Sequence, residues 1–133
     1  MSDLNVATVG KVYEAFGRGD AAAVAAACTD DTVWDFDVAD SDVPWHLPVR
    51  SRGEVPRFLG AFVENVELKQ FEPASFVHSG EDVIAHIRIS YMVRRTGKVV
   101  TMDQLHWWTF RDGRIARLRH FEDTAQVLGA WRS

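Results

Sequence analysis

Moving a proton at carbon, or opening a strained ring, takes a base, a donor for the oxygen that gains negative charge, and apolar walls that exclude water and shift pKa values. In this sequence Asp35 sits between Trp34 and Phe36 in a short β-prone run. That is a costly place for a carboxylate unless it is exposed, paired or functional. Asp37 has the same strand parity and is the alternative carboxylate. If both faced inward, their repulsion would raise one pKa and set an acid beside a base. Tyr13 falls on the apolar stripe of the first helical segment, with a phenol that can donate a hydrogen bond. His106 shares strand parity with Met102, Gln104, Trp108 and Phe110, which places it on the covered face of a sheet.

Walls for a flat apolar ligand are expected from Trp34, Trp45, His46 and Trp108, with Phe58 and Phe62 from a helix and Met102 from a strand. Trp45 and His46 stand between Pro44 and Pro48 in a stretch without period, which suggests a lid. His46, His78, His86, His106 and His120 show no ligand spacing on a helix and have no cysteine partner, so no metal is expected. There is no glycine-rich phosphate loop, nucleophile elbow or Cys–His signature, and no cofactor is expected. The lone Cys28 reads as a small hydrophobe on an alanine-rich helix.

These side chains need elements to position them. Val6, Val9, Tyr13 and Phe16 recur at helical spacing after Asn5, a candidate N-cap, until Gly17 and Gly19 break the pattern. Asp20 caps a second helix running through the alanines to Cys28, and a strand follows at 32–36. Residues 37–52 form a long loop. The third helix is the clearest, with Val55, Phe58, Leu59, Phe62, Val63 and Val66 on one stripe. After Leu68 the period changes to two, and turns at Ser79-Gly80, Thr96-Gly97-Lys98 and Asp112-Gly113 mark strands near 68–78, 82–94, 99–111 and 114–122. A short last helix starts at Asp123-Thr124. Val83, Ala85, Ile87, Ile89 and Tyr91 make the inner row of the second of these strands, with His86 and Arg88 on the outer face.

The order helix, helix, strand, loop, helix and four-stranded meander resembles the SnoaL-like and ketosteroid-isomerase-like proteins of the nuclear-transport-factor-two-like superfamily. The segments Val12-Tyr13-Glu14-Ala15-Phe16-Gly17-Arg18-Gly19-Asp20, Thr32-Val33-Trp34 and Phe110-Arg111-Asp112-Gly113-Arg114-Ile115, with Asp123-Thr124-Ala125, carry the likeness. The resemblance implies an α+β fold of a particular kind: a cone-shaped barrel, with three N-terminal helices on a curved antiparallel sheet and a short C-terminal helix. It implies one domain over residues 1–133, a pocket at the open end, and a homodimer through the outer sheet face. It also matches Tyr13 and Asp35 to the oxyanion donor and base of the isomerases, while His106 stands where they carry a second acid.

At 133 residues, 47% apolar and 26% charged, the chain has the size and balance of one folded domain. A net charge of −4 argues against nucleic acid, and no stretch approaches the roughly 20 apolar residues of a membrane span. A cytoplasmic location is expected. The function expected is cofactor-independent acid–base chemistry, of the isomerase, cyclase or lyase type, on a small hydrophobic cyclic molecule. Asp35 is the expected base, Tyr13 and His106 the donors. The alternatives are a non-catalytic ligand-binding or dimeric assembly module, or an epoxide hydrolase.

Overall fold

The computed structural model describes residues 2–36, 38 and 40–133. Helix α1 spans Ser2–Gly17, α2 Ala21–Ala26 and strand β1 Cys28–Asp35. After a loop, a single 3-10 turn at Arg52–Glu54 leads into α3, Val55–Asn65. Strands β2 (Val66–Ser79), β3 (Asp82–Val93), β4 (Val99–Arg111) and β5 (Arg114–Phe121) follow, then helix α4, Thr124–Arg132.

Local chemistry sets most boundaries. The Asp20 carboxylate accepts a hydrogen bond from the Ala23 amide at 3.0 Å and starts α2. Asp123 does the same for α4, accepting from Gln126 at 3.1 Å. Asp112 and Gly113 both have positive φ, 51° and 78°, the backbone of the tight hairpin turn that joins β4 to β5 without splaying the strands. Two boundaries differ from expectation. Asn5 lies inside α1 and is buried, so it is not the cap. Cys28 belongs to β1 and not to the alanine helix: it is fully buried in the core and burial pushes its thiol up to about 11.

The strands form one sheet in the order β1-β5-β4-β3-β2. β2 through β5 run antiparallel to their neighbours, while β1 pairs parallel with β5, Trp34 beside Leu118 and Asp35 beside Arg119. This corrects the expected cone-shaped barrel. Closure requires the first and last strands of the order to bond to each other. Here β1 and β2 are the two edges, and the sheet is open and not strongly curled.

One face of the sheet is covered and the other is not. Val83, Ala85, Ile87, Ile89 and Tyr91 of β3 are buried, as the alternation requires, and they meet Val9, Val12, Tyr13, Leu59 and Phe62 from the helices in one apolar core. The loop after β1 is tied down by a two-way backbone bridge. Trp34 N–H donates to the Val49 carbonyl at 2.9 Å, and Val49 N–H returns to Trp34 at 3.1 Å. That bridge carries Trp45 into the core, where it is 2% exposed and packs edge-on against Phe62, Tyr91 and Trp131. It is a packed wall and not an exposed flap.

Candidate functional site

Between the covered sheet face and the helices lies a cavity of about 90 Å³. Most of its lining is aromatic or aliphatic: Trp34, Phe36, Trp45, Phe58, Phe62, Phe71, Ile89, Trp108 and Leu118 contribute. The exceptions form one seam. Tyr13 on α1, Gln104 and His106 on β4, and His120 and Glu122 at the end of β5 bring polar atoms to the same wall, with Tyr91 of β3 nearby. Strand alternation explains the grouping, since Gln104, His106 and Trp108 share the inward parity of β4 and Leu118, His120 and Glu122 that of β5 and its extension. Cross-strand pairing sets His106 opposite His120, ring centroids 4.7 Å apart.

The seam is one hydrogen-bonded chain, and its direction follows from how the Gln104 amide is turned. The amide nitrogen of Gln104 faces Glu122, whose side chain is 1% exposed, and donates to Oε1 at 3.5 Å. The Gln104 carbonyl oxygen then faces the two imidazoles. It accepts from His106 Nε2–H at 2.9 Å and from His120 Nε2–H at 3.0 Å. His106 is left with a bare Nδ1, to which the Tyr13 hydroxyl donates at 2.7 Å, and the Tyr13 oxygen accepts from the Trp108 indole N–H at 3.0 Å. On the other side, His46 Nε2–H donates to Glu122 Oε2 at 2.9 Å. Ser41 Oγ–H donates to His46 Nδ1 at 2.6 Å while accepting from the Val43 amide at 3.1 Å.

Two buried polar atoms stay outside this chain. His120 Nδ1 has no hydrogen-bond partner among the described residues, and the Tyr91 hydroxyl has only the Trp45 side chain near it, outside good hydrogen-bond geometry. His120 Nδ1 lies 3.6 Å from Glu122 Oε1, beyond a hydrogen bond. The electrostatics are those of a dry site. Burial pushes His106 down to about 3 and keeps it neutral. Burial does the same to His120, also down to about 3, assisted by His106 and opposed by Glu122. Tyr13 is driven well above the usual phenol range by burial, against the pull of the Trp108 N–H. Tyr91 is driven up by burial and then by the negative charge of Glu122.

The expected site residues are distributed unevenly. Tyr13, His106, Trp34, Trp45, Phe58, Phe62 and Trp108 line the cavity. His46 reaches it through Glu122, and Met102 packs on the core without lining the cavity. Asp37 lies outside the described residues. Asp35, the expected base, does not line the cavity: next to inward-facing Trp34, strand alternation turns it to the other face. There it accepts from Arg50 at 3.1 Å and lies 3.9 Å from Arg117, an ion-paired surface carboxylate. The carboxylate that does enter the cavity is Glu122, which sequence reasoning passed over. Its signal was the shared parity of Leu118, His120 and Glu122 just before the helix cap.

Among the described residues no group of three or more His, Cys, Asp and Glu side chains is placed to hold a metal ion. No described helix is long and apolar enough to cross a membrane.

Comparison with solved structures agrees with this architecture over the whole chain. An NTF2-like protein of unknown function from Burkholderia pseudomallei is 27% identical, with 100% of both chains covered and a TM-score of 0.88. NTF2-like proteins from Burkholderia xenovorans (25% identical, 98% of this chain and 97% of that one, TM-score 0.87) and Burkholderia thailandensis (27%, 100% and 99%, 0.86) are comparable. Proteins named as isomerases and polyketide cyclases share the fold at 16 to 19% identity. No curated protein matches the sequence. Residues 9–118 match the SnoaL-like domain, a stretch that contains every element from α1 to β5 in whole or in part, and the chain belongs to the SnoaL-like family.

Proposed function

We propose that this protein is a cofactor-independent acid–base catalyst of the isomerase, cyclase or lyase type, acting on a small hydrophobic cyclic molecule. The observation that carries the reading is Glu122: a carboxylate with a side chain 1% exposed, held by His46 and Gln104 at the edge of an apolar cavity. A carboxylate kept out of water is costly, and such cost is characteristic of catalytic sites. The relatives named as isomerases and polyketide cyclases support the same class.

In this reading Glu122 takes a proton from a carbon next to a carbonyl. The electron pair of that C–H bond moves toward the carbonyl oxygen, which gains negative charge. Tyr91 donates to that oxygen with a proton committed to no other group, and Tyr13, whose proton is shared with His106, is the second phenol available. Returning the proton from Glu122 to a different carbon completes an isomerisation without net change in the enzyme. The aromatic walls exclude water, so the carboxylate meets carbon acids and not solvent.

A second reading, ligand binding without chemistry, draws support from the internal saturation of Tyr13, His106 and Gln104, whose hydrogen bonds are directed at one another. One experiment separates the two. The protein is mixed with a hydroxyl-bearing β,γ-unsaturated cyclic ketone, and conjugated enone is followed by ultraviolet absorbance, with α-proton exchange in deuterated water followed by NMR. Enone formation that disappears in Glu122→Gln supports the catalyst. Saturable binding with no enone and no exchange overturns it in favour of the binding protein.

A further inference from the structure

Gln104 does more than bridge two side chains. An imidazole beside a carboxylate ordinarily turns a proton toward it, and for His120 that would put the proton on Nδ1, 3.6 Å from Glu122 Oε1. Gln104 opposes this outcome. Its amide nitrogen is claimed by Glu122, so its carbonyl oxygen can only accept, and both His106 and His120 must present Nε2–H to it. A neutral imidazole with its proton on Nε2 has a bare lone pair on Nδ1. In His106 that lone pair is taken by Tyr13. In His120 it is buried and has no partner among the described residues, on a side chain that lines the cavity.

We propose that Gln104 is a positioning residue that fixes the Nε2–H tautomers of His106 and His120, and that the site thereby selects ligands carrying a hydroxyl group able to donate to His120 Nδ1. This deepens the catalytic reading and rests on its choice of cavity, but it does not need turnover to be observed. The ligand class is an uncharged small ring with at least one hydroxyl. A ring of the same shape without a donor leaves the buried lone pair unpaired and desolvated. A cavity with an unsatisfied polar atom discriminates against such an analogue far more sharply than apolar walls discriminate size. An anionic ligand finds no counter-charge there, because burial holds both histidines neutral.

The test uses the full chain with 15N-labelled histidine, titrated with phenol and with anisole, its methyl ether. Imidazole nitrogen resonances report the tautomer directly, and the same spectra report binding. The expected result is Nε2–H at both His106 and His120 in the free protein, and phenol binding about tenfold or more tighter than anisole, which corresponds to about 1.4 kcal/mol. Phenol should shift His120 Nδ1 and leave His106 Nδ1 in place. In Gln104→Met, which removes the acceptor, His120 should move its proton to Nδ1 and the preference for phenol should shrink to about twofold or less. Should the methionine variant fail to fold, the His120 tautomer and the phenol-to-anisole ratio of the unsubstituted protein decide the matter. A proton on His120 Nδ1 in the unsubstituted protein, equal affinity for phenol and anisole, or an unchanged tautomer in Gln104→Met would each overturn the proposal. Failure of the catalytic reading looks different: phenol preference and tautomers as expected, with no proton exchange on any ketone.

Discussion

His46 Nε2 lies 2.9 Å from Glu122 Oε2, and each side chain is only 1% exposed. The loop after β1 therefore closes over the cavity by a hydrogen bond to the same carboxylate that the cavity uses. Removing one partner strands the other in a dry environment, where breaking a buried pair costs about 3 to 5 kcal/mol. His46 also stacks on Phe36, ring centroids 5.9 Å apart. We expect His46→Ala to destabilise the protein by about 3 kcal/mol in urea denaturation. Glu122→Gln keeps an acceptor for His46 and should cost roughly half as much or less. Equal losses would mean that the pair is not what holds the loop.

Acid should unfold the protein through its histidines before most carboxylates are reached. Burial holds His106 and His120 down to about 3 in the folded state, against an ordinary value of 6.5. The unfolded chain therefore takes up these protons first. Their contribution to stability is complete above pH 6.5 and declines as the pH falls through 6.5 toward 3, at about 1.4 kcal/mol per pH unit for each group. Denaturation in urea between about pH 7 and about pH 4 should show this decline. The variant His106→Gln should lower the slope by about 1.4 kcal/mol per pH unit. A slope unchanged by that variant would show that His106 is already protonated in the fold.

The arrangement of helices and strands was legible in the sequence because it rests on periodicity and turn chemistry. The α3 stripe, the alternation of β3, and the Asp112-Gly113 turn are local signals, and local signals determine local elements. The openness of the sheet was not legible, since nothing in β1 or β2 alone says whether their outer edges meet. The site was half legible. Parity placed His106 and Trp108 on the inner face of β4. The same rule, applied strictly to β1, forbids Trp34 and Asp35 from sharing a face, and the expectation of both at the cavity overrode it. Glu122 escaped notice for a different reason. Its partner His46 comes from a loop without period, so only the tertiary fold reveals that they meet.

Tyr13 joins one donor and one acceptor that have no alternative partner in the seam. Tyr13→Phe preserves the ring contacts with Phe71 and Trp108 while leaving the Trp108 N–H without its acceptor and His106 Nδ1 without its donor. Each buried group left unpaired costs about 1 to 3 kcal/mol. We expect a loss of about 2 to 4 kcal/mol in chemical denaturation. If the protein catalyses enone formation, turnover should fall by about 10² as well, because the phenol is one of two that face a developing negative charge. A stability loss with unchanged turnover would assign that role to Tyr91 alone.

Asp35 provides the sharpest contrast with Glu122, since both are carboxylates near the ends of the paired strands β1 and β5 and only one enters the cavity. The Asp35 side chain is 28% exposed and paired with Arg50 and Arg117, which are themselves more than half exposed. Solvent-screened pairs of this kind contribute about 0 to 1 kcal/mol. Asp35→Asn should therefore lower stability by less than about 1 kcal/mol and leave phenol binding and any proton exchange unchanged. Glu122→Gln should abolish exchange while the protein remains folded. The two variants, assayed side by side for α-proton exchange and for the urea midpoint, test where the cavity's chemistry resides. A loss of exchange in Asp35→Asn with none in Glu122→Gln would return the base to β1, and would require the loop bridge at Trp34 and Val49 to open in solution so that the outer face of that strand could reach a ligand.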